Sequence, residues 1–241
     1  MIDPLPVLLR FFLVPLPLGA AMWWLAQGGL VATGPALGVW LGAWLLDWLT
    51  LPAQSRFWYR RGQLRTALSG WLVRLTLAPT RRRRTTLAAE AAWVLLDLEL
   101  DGPAANLLAR HGTGSIERDP LYAVALARAL LSQKARPLLA LDLADTALEA
   151  SPMGRAHFVR GLCYVALEEP RPALRAFSAA RHRAALERDP ILSGFCYFHL
   201  GLTWDQLGER AYALDHFLRA EIMLYFLPSI VRRSRVRMAQ E

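Results

Sequence analysis

The chain has 241 residues, enough for one or two domains, and its 28 basic and 20 acidic side chains give a net charge of +8. All of this excess lies in residues 1–86, which hold ten arginines and two acids, whereas residues 87–241 hold 18 charges of each sign. Cys163 and Cys196, the two cysteines, lack CxxC and Cys/His spacing, which argues against a disulfide framework or a common zinc site and favours buried thiols in a reducing compartment. The 27 arginines against one lysine are typical of a GC-rich bacterial genome.

Residues 1–51 contain two apolar runs, Leu5–Leu25 and Leu30–Leu51, each about long enough to cross a bilayer. A cleaved signal peptide needs a basic start and a polar mature protein after it, whereas here a second apolar run follows at once. The sequence therefore predicts a transmembrane helical hairpin. Its first helix is the weaker prediction, because Pro15 and Pro17 break the hydrogen-bond ladder and a kinked or re-entrant helix would also fit.

Two rows of residues recur every four positions in the second run: Gly34, Gly38 and Gly42, and then Trp40, Trp44 and Trp48. Their offset of two residues puts the rows on nearly opposite faces of a helix. We interpret the glycine row as a close contact within the hairpin or with another subunit, and the tryptophan row as facing lipid or a partner. Arg10 and Asp47 fall at similar depth, which predicts either an ion pair within the hairpin or a contact outside it.

Residues 52–86 continue with a basic segment in which apolar residues recur at helical spacing. This pattern predicts an amphipathic helix and linker on a membrane surface, with arginines toward anionic lipid headgroups. Its candidate surface residues are Arg56, Arg60, Arg61, Arg65, Trp71, Arg74, Arg81, Arg82, Arg83 and Arg84. The charge asymmetry predicts a multi-pass protein of the bacterial cytoplasmic membrane with both termini and the remaining chain in the cytosol. Nucleic acid is a disfavoured partner, because no reading helix accompanies the arginines.

Residues 87–227 read as successive helical hairpins. A degenerate first one runs from Leu87 to Ala109, and a second from Leu121 to Ala150. Three dipeptides, Asp119-Pro120, Ser151-Pro152 and Asp189-Pro190, each place a capping side chain before a proline and predict helix starts. One pattern then occurs twice at identical spacing: Gly161, Tyr164, Ala173, Phe177 and Ala180, followed by Gly201, Trp204, Ala213, Phe217 and Ala220. An aromatic ring of one helix would sit against small alanines of the next, and neither hairpin could bury its apolar face alone, so the hairpins must stack.

This pattern resembles the tetratricopeptide repeat (TPR), most closely in the second copy, where Tyr197 and Leu200 also stand at signature positions. The first copy departs at His157 and Arg160, where an aromatic residue and a leucine are usual. The resemblance covers about residues 121–227. Together with residues 1–86, it predicts an all-α fold: a transmembrane hairpin and an interfacial helix, then a short α-solenoid of TPR-like hairpins.

The resemblance also implies a concave surface, lined by the first helix of each repeat, that binds a protein segment. Carried over onto this chain, that surface comprises Tyr122, Arg155, Phe158, Leu162, Phe195, Phe198 and Asp205. Phe158 and Phe195 are equally consistent with packing between repeats, whereas Phe198 is the better candidate for exposure. The set lacks the lysines and asparagines with which family members grip a carboxyl terminus.

Residues 228–241 form a basic segment that we interpret as a cap of the solenoid or, alternatively, as a tail that contacts a membrane or partner. The five histidines show no metal-binding spacing, and no nucleophile motif is present, so the sequence predicts neither an enzyme nor a bound cofactor or metal. We therefore expect a membrane-anchored adaptor that binds a partner protein. The alternative is a structural or assembly subunit of a membrane complex, held through its hairpin.

Overall fold

The computed structural model describes residues 53–112, 119–134 and 136–239. These residues form helices joined by short turns. The helices are α1 (53–60), α2 (Leu64–Leu77), α3 (Arg81–Asp97), α4 (Asp101–His111), α5 (Pro120–Ser132), α6 (Pro137–Ala150), α7 (Gly154–Ala166), α8 (Pro170–Leu186), α9 (Pro190–Gln206), α10 (Arg210–Met223) and α11 (Pro228–Met238).

Short-range signals fix several helix starts. Asp119 and Asp189 accept hydrogen bonds from the backbone amides of Tyr122 (3.2 Å) and Leu192 (3.0 Å), and a proline follows each of them in the first helical turn. These two predicted starts are confirmed. The start predicted at Ser151-Pro152 is wrong, because α7 begins at Gly154 without a side-chain cap.

The helices pair into five antiparallel hairpins, α1/α2, α3/α4, α5/α6, α7/α8 and α9/α10. The turn of each hairpin contains a residue with positive φ, namely Gly62, Glu99, Lys134, Glu168 or Gly208. Seven residues before it stands a small buried residue (Ser55, Ala92, Ala127, Gly161 or Gly201), and nine residues after it a large buried one (Trp71, Leu108, Leu143, Phe177 or Phe217). The same repeat unit therefore recurs in all five hairpins, from residue 53 to residue 223 of the described chain.

Close packing within the hairpins explains the repeated glycines. A Cβ atom at Gly161 would lie 2.5 Å from the Phe177 ring, and one at Gly201 would lie 2.7 Å from the Phe217 ring. Both rings are fully buried. The spacing recognised in the sequence is thus a steric contact in which a ring of the second helix presses on the backbone of the first.

The solenoid forms as hairpins stack, with each second helix lying against the first helix of the following hairpin. The first helices α3, α5, α7 and α9 also contact one another in sequence along the inner face. One continuous apolar core runs from Tyr59 to Ile230. The all-α TPR-like solenoid is confirmed.

The predicted membrane-surface helix at residues 52–86 is corrected. Trp71 is 2% exposed because it fills the large position of the first hairpin, and it packs edge-on against Tyr59 with ring centroids 5.9 Å apart. The boundary predicted between residues 86 and 87 falls inside α3, so residues 81–86 continue as helix into the following segment. Arg81, Arg82, Arg83 and Arg84 form the first turn of that helix.

The transmembrane part of the predicted fold class, and with it the multi-pass location in a bacterial cytoplasmic membrane, is also corrected. Over the described residues, no helix combines the length and apolar character needed to cross a membrane. The hairpin prediction itself falls on residues 1–51, outside the described residues, as do Arg10, Asp47 and the glycine and tryptophan rows.

Candidate binding groove

A cavity of about 480 Å³ lies on the inner face of the solenoid, between the first helices and α11. Its floor and walls are mainly apolar and aromatic, and its rim is charged. The lining residues include Leu96, Asp97, Glu99, Arg128, Phe158, Leu162, Phe195, Phe198, His199, Leu202, Ile230, Arg233 and Arg237. We call this cavity, together with its rim, the groove.

A buried ion pair lies on the floor of the groove. A guanidinium nitrogen of Arg128 lies 2.6 Å from a carboxylate oxygen of Asp97, whose side chain is 0% exposed. The other carboxylate oxygen accepts a hydrogen bond from the Tyr59 hydroxyl at 2.9 Å. The guanidinium also stacks over Trp93, 4.4 Å from the ring centroid. Such a charge pair is stable only because hydrogen bonds and aromatic contacts replace the lost water.

His199 is enclosed by aromatic rings beside this pair. Its imidazole stacks on Phe177 at 5.3 Å and meets Phe158 edge-on at 5.4 Å. Burial, and secondarily the nearby Arg128 cation, lowers the pKa of His199 to about 3. The imidazole is therefore neutral near pH 7 and packs as an aromatic side chain.

A second cavity, of about 320 Å³, lies next to the groove and is lined by residues including Tyr59, Glu90 and Arg155. Arg155 forms an ion pair with Glu90 at 2.8 Å and lies over the Trp93 ring at 4.9 Å. Burial and the nearby carboxylates of Asp189 and Asp97 raise the pKa of Tyr59 well above its ordinary value. Residues of α1 and of the first helices α3 and α7 line this cavity together.

Helix α11 crosses the mouth of the groove. Ile230 is 5% exposed and lines the cavity, and Arg233 pairs with Glu99 at the end of α3 and lies 6.0 Å over the Phe198 ring. At the other side, Arg237 lies 3.5 Å from Asp205 on α9. The C-terminal segment thus spans from the last hairpin to the second one.

The structure brings together four of the seven residues assigned to a concave surface: Phe158, Leu162, Phe195 and Phe198 line the groove. The expectation that Phe198 is exposed is wrong, because it is 3% exposed beneath Arg233 of α11. Phe158 is 1% exposed and packs against the rings of neighbouring hairpins.

The other three residues of that set lie elsewhere. Tyr122 is buried and donates its hydroxyl hydrogen bond to the Leu108 carbonyl, at 3.1 Å, away from the groove. Arg155 belongs to the second cavity, and Asp205 sits at the rim, where it also pairs with Arg210 at 2.9 Å.

The arginines assigned to a membrane surface are mostly exposed, as Arg61 and Arg65 are. Arg56 and Arg60 line the second cavity, where Arg60 donates a hydrogen bond to the Glu187 carbonyl at 3.3 Å. Arg74 is half-buried, and burial followed by repulsion from Arg83 and Arg56 lowers its pKa. Arg60 therefore links α1 to the end of α8.

Sequence reasoning missed Asp97, Arg128 and His199. A signal was present for the first two, because each is a single charge inside an otherwise apolar helical run, and such charges are rarely buried unpaired. No local signal identifies their pairing across 31 residues of sequence.

Nothing in the described part of the chain groups three or more potential metal ligands. Burial raises the pKa of the Cys163 thiol to about 12 and that of Cys196 higher still, so both buried thiols are protonated and poor nucleophiles. The inner face presents aromatic, apolar and charged side chains.

Among solved structures, the chain is similar to that of TTC0263, a thermophilic TPR protein in Thermus thermophilus. The match has a TM-score of 0.56 and 19% sequence identity, and covers 79% of this chain and 98% of that one. The crystal structure of MamA matches at a TM-score of 0.41 and 17% identity, over 70% of this chain and 93% of that one. Neither a protein-family model nor a curated protein matches the sequence. At this identity, the likeness to TTC0263 shows the fold alone: the chain is a TPR-like solenoid.

Proposed function

We propose that the chain is a non-catalytic interaction scaffold that holds a segment of a partner protein in the groove. The observation that carries this proposal is the cavity of about 480 Å³ between the inner face and α11. Its volume lies within the range of pockets that bind small ligands or a few side chains of a peptide.

The chemistry of the groove supports this use. Aromatic side chains on the floor offer large contact areas at a low entropic cost, and charged groups at the rim orient a bound segment. The floor is held in place by the Asp97–Arg128 pair, so it need not rearrange when a segment binds. A role as a protein-interaction scaffold agrees with the TPR-like fold.

A matched pair of substitutions tests the proposal. Leu202 is partly buried and lines the groove, whereas Leu186 is 63% exposed and lies outside it. A photoreactive amino acid placed at residue 202 should crosslink a partner in an extract of the source cells, and Leu202→Arg should abolish partner recovery. The same two changes at residue 186 should give no crosslink and no loss.

Equal recovery of the partner by Leu202→Arg and Leu186→Arg, with both variants retaining the helical signal of the wild type in circular dichroism, would refute groove binding. Crosslinking from residue 186 but not from residue 202 would move the interaction to the outer surface.

A further inference from the structure

Helix α11 covers the mouth of the groove with one face. Ile230, Arg233, Ser234 and Arg237 follow one another at intervals of three, one and three residues, which places them on a single side of a helix. Ile230 and Ser234 are buried, and the two arginines pair with Glu99 and Asp205. The groove is therefore already covered, within the chain, by a basic amphipathic helix.

The groove beneath α11 is complementary to such a helix. Without α11, its rim and floor present three carboxylates, Asp97, Glu99 and Asp205, against two arginines, Arg128 and Arg210. Arg128 is already paired with Asp97 and Arg210 with Asp205, whereas Glu99 has its ion-pair partner, among the described residues, in α11. An apolar floor with a carboxylate at each end of the mouth selects an apolar anchor flanked by cations.

The hold of α11 on the groove is imperfect. The Ser234 hydroxyl is 0% exposed and has no hydrogen-bond partner among the described residues, which weakens the contact because a buried polar group has lost its water. Arg232, Arg233, Arg235 and Arg237 also repel one another within 11 residues of helix. A helix of 11 residues is marginally stable on its own, so its order depends on its contacts with the groove.

We propose that the partner segment accepted by the groove is a basic amphipathic helix, whose apolar and arginine side chains replace those of α11, and that α11 is its intramolecular competitor. This inference rests on the proposed function and names the chemistry of the partner.

The probe is a fluorescein-labelled synthetic peptide with the sequence of residues 228–239, titrated against the full chain by fluorescence anisotropy. Ile230→Ala in the chain removes the buried anchor of α11 and opens the groove, so its affinity for the peptide should exceed that of wild type by at least tenfold. Arg235→Ala is the matched control, because Arg235 pairs with Glu221 on α10 at 2.5 Å and does not line the cavity. Its affinity should stay within about twofold of wild type.

Two further variants give changes of opposite sign. Ser234→Ala in the chain removes the unpaired hydroxyl, tightens α11 and should weaken peptide binding by about threefold or more. Arg233→Ala in the chain removes the ion pair between α11 and Glu99 and should therefore strengthen binding of the peptide. If Ile230→Ala loses helical content, Arg233→Ala serves as the variant with the opened groove. Hydrogen exchange of the α11 amides should accelerate when the peptide is added to wild type.

A second peptide, carrying Arg233→Glu and Arg237→Glu, tests the charge. It should bind the opened chain at least tenfold more weakly than the basic peptide. Equal affinity of wild type and Ile230→Ala for the basic peptide would show that α11 is no competitor, and equal or tighter binding of the acidic peptide would overturn the basic partner. In either case a crosslink from residue 202 would still support binding of a partner in the groove. If no peptide bound any form of the chain and residue 202 gave no crosslink, the proposed function would be refuted as well.

Discussion

Removal of Arg128 should destabilise the fold far more than removal of an exposed arginine. In Arg128→Met the Asp97 carboxylate stays fully buried and keeps only the hydrogen bond from Tyr59. Breaking one side of a buried ion pair costs about 3–5 kcal/mol, because the remaining charge has neither water nor a counter-ion. The control is Arg160→Met, since Arg160 and Asp145 lie 3.5 Å apart with side chains 38% and 46% exposed. It should cost less than about 1 kcal/mol.

The same reasoning predicts that a complete apolar replacement is mild. Arg128→Met with Asp97→Leu removes both charges but leaves the Tyr59 hydroxyl without an acceptor, at about 1–3 kcal/mol. Adding Tyr59→Phe should bring the free energy of unfolding back to within about 1 kcal/mol of wild type. Urea titrations followed by circular dichroism at 222 nm measure the four variants and wild type. If Arg128→Met costs no more than Arg160→Met, or if the triple variant is as unstable as the single one, the ion pair does not have the role assigned to it.

Three further predictions concern turns, helix charge and pH. Gly208 has φ 79° and no atom lies near the position of a Cβ, so Gly208→Ala should lower the free energy of unfolding by about 1 kcal/mol through backbone strain alone. Glu168 has φ 61°, so Glu168→Gly should relieve strain and raise the free energy of unfolding by about 0.5–1 kcal/mol. Chemical denaturation measures both variants, and a change of the same sign at the two positions would contradict this role of the turns. Arg82→Glu in the first turn of α3 should stabilise by about 0.5–1 kcal/mol through the helix dipole and relief of repulsion from neighbouring arginines. That gain should shrink in thermal melts at 1 M salt, and a gain independent of salt would rule out this electrostatic origin. Because burial lowers the pKa of His199 from its usual 6.5 to about 3, its stabilising contribution is complete above pH 6.5 and falls with decreasing pH, by at most about 1.4 kcal/mol per unit. Wild type should therefore lose stability relative to His199→Phe between pH 6.5 and 4 in urea titrations, and a difference that does not vary with pH would contradict the burial of a neutral imidazole.

Features governed by short-range chemistry could be predicted from the sequence. Asp119 and Asp189 cap helices as expected, because capping depends on a side chain and an amide three residues away. The repeated spacing of Gly161 and Phe177 also identified a hairpin, and the structure adds that the ring presses on the glycine backbone. The paired pattern therefore identified the fold of the last two hairpins directly.

The first hairpin was misinterpreted because an amphipathic helix has the same sequence pattern whether protein or membrane covers its apolar face. Trp71 and its exposed arginine neighbours fit either environment by periodicity alone. The distinguishing signal was the repeat register: Ser55, Gly62 and Trp71 stand at the small, turning and large positions of the unit. A serine in place of glycine hid that register from a search for the usual residues.

The environment of Phe198 could not be predicted, because α11 reaches it only through the folded chain. The floor of the groove has the same long-range origin. Tyr59, Asp97 and Arg128 come from three successive hairpins, and their hydrogen bonds are directional, whereas apolar side chains between hairpins tolerate small rotations. The polar contacts therefore contribute less to net stability than to the angle at which hairpins stack. We therefore expect the triple apolar variant to keep its helices and its free energy of unfolding while the angle between hairpins varies. The width of the groove between the inner face and α11 would then no longer be fixed.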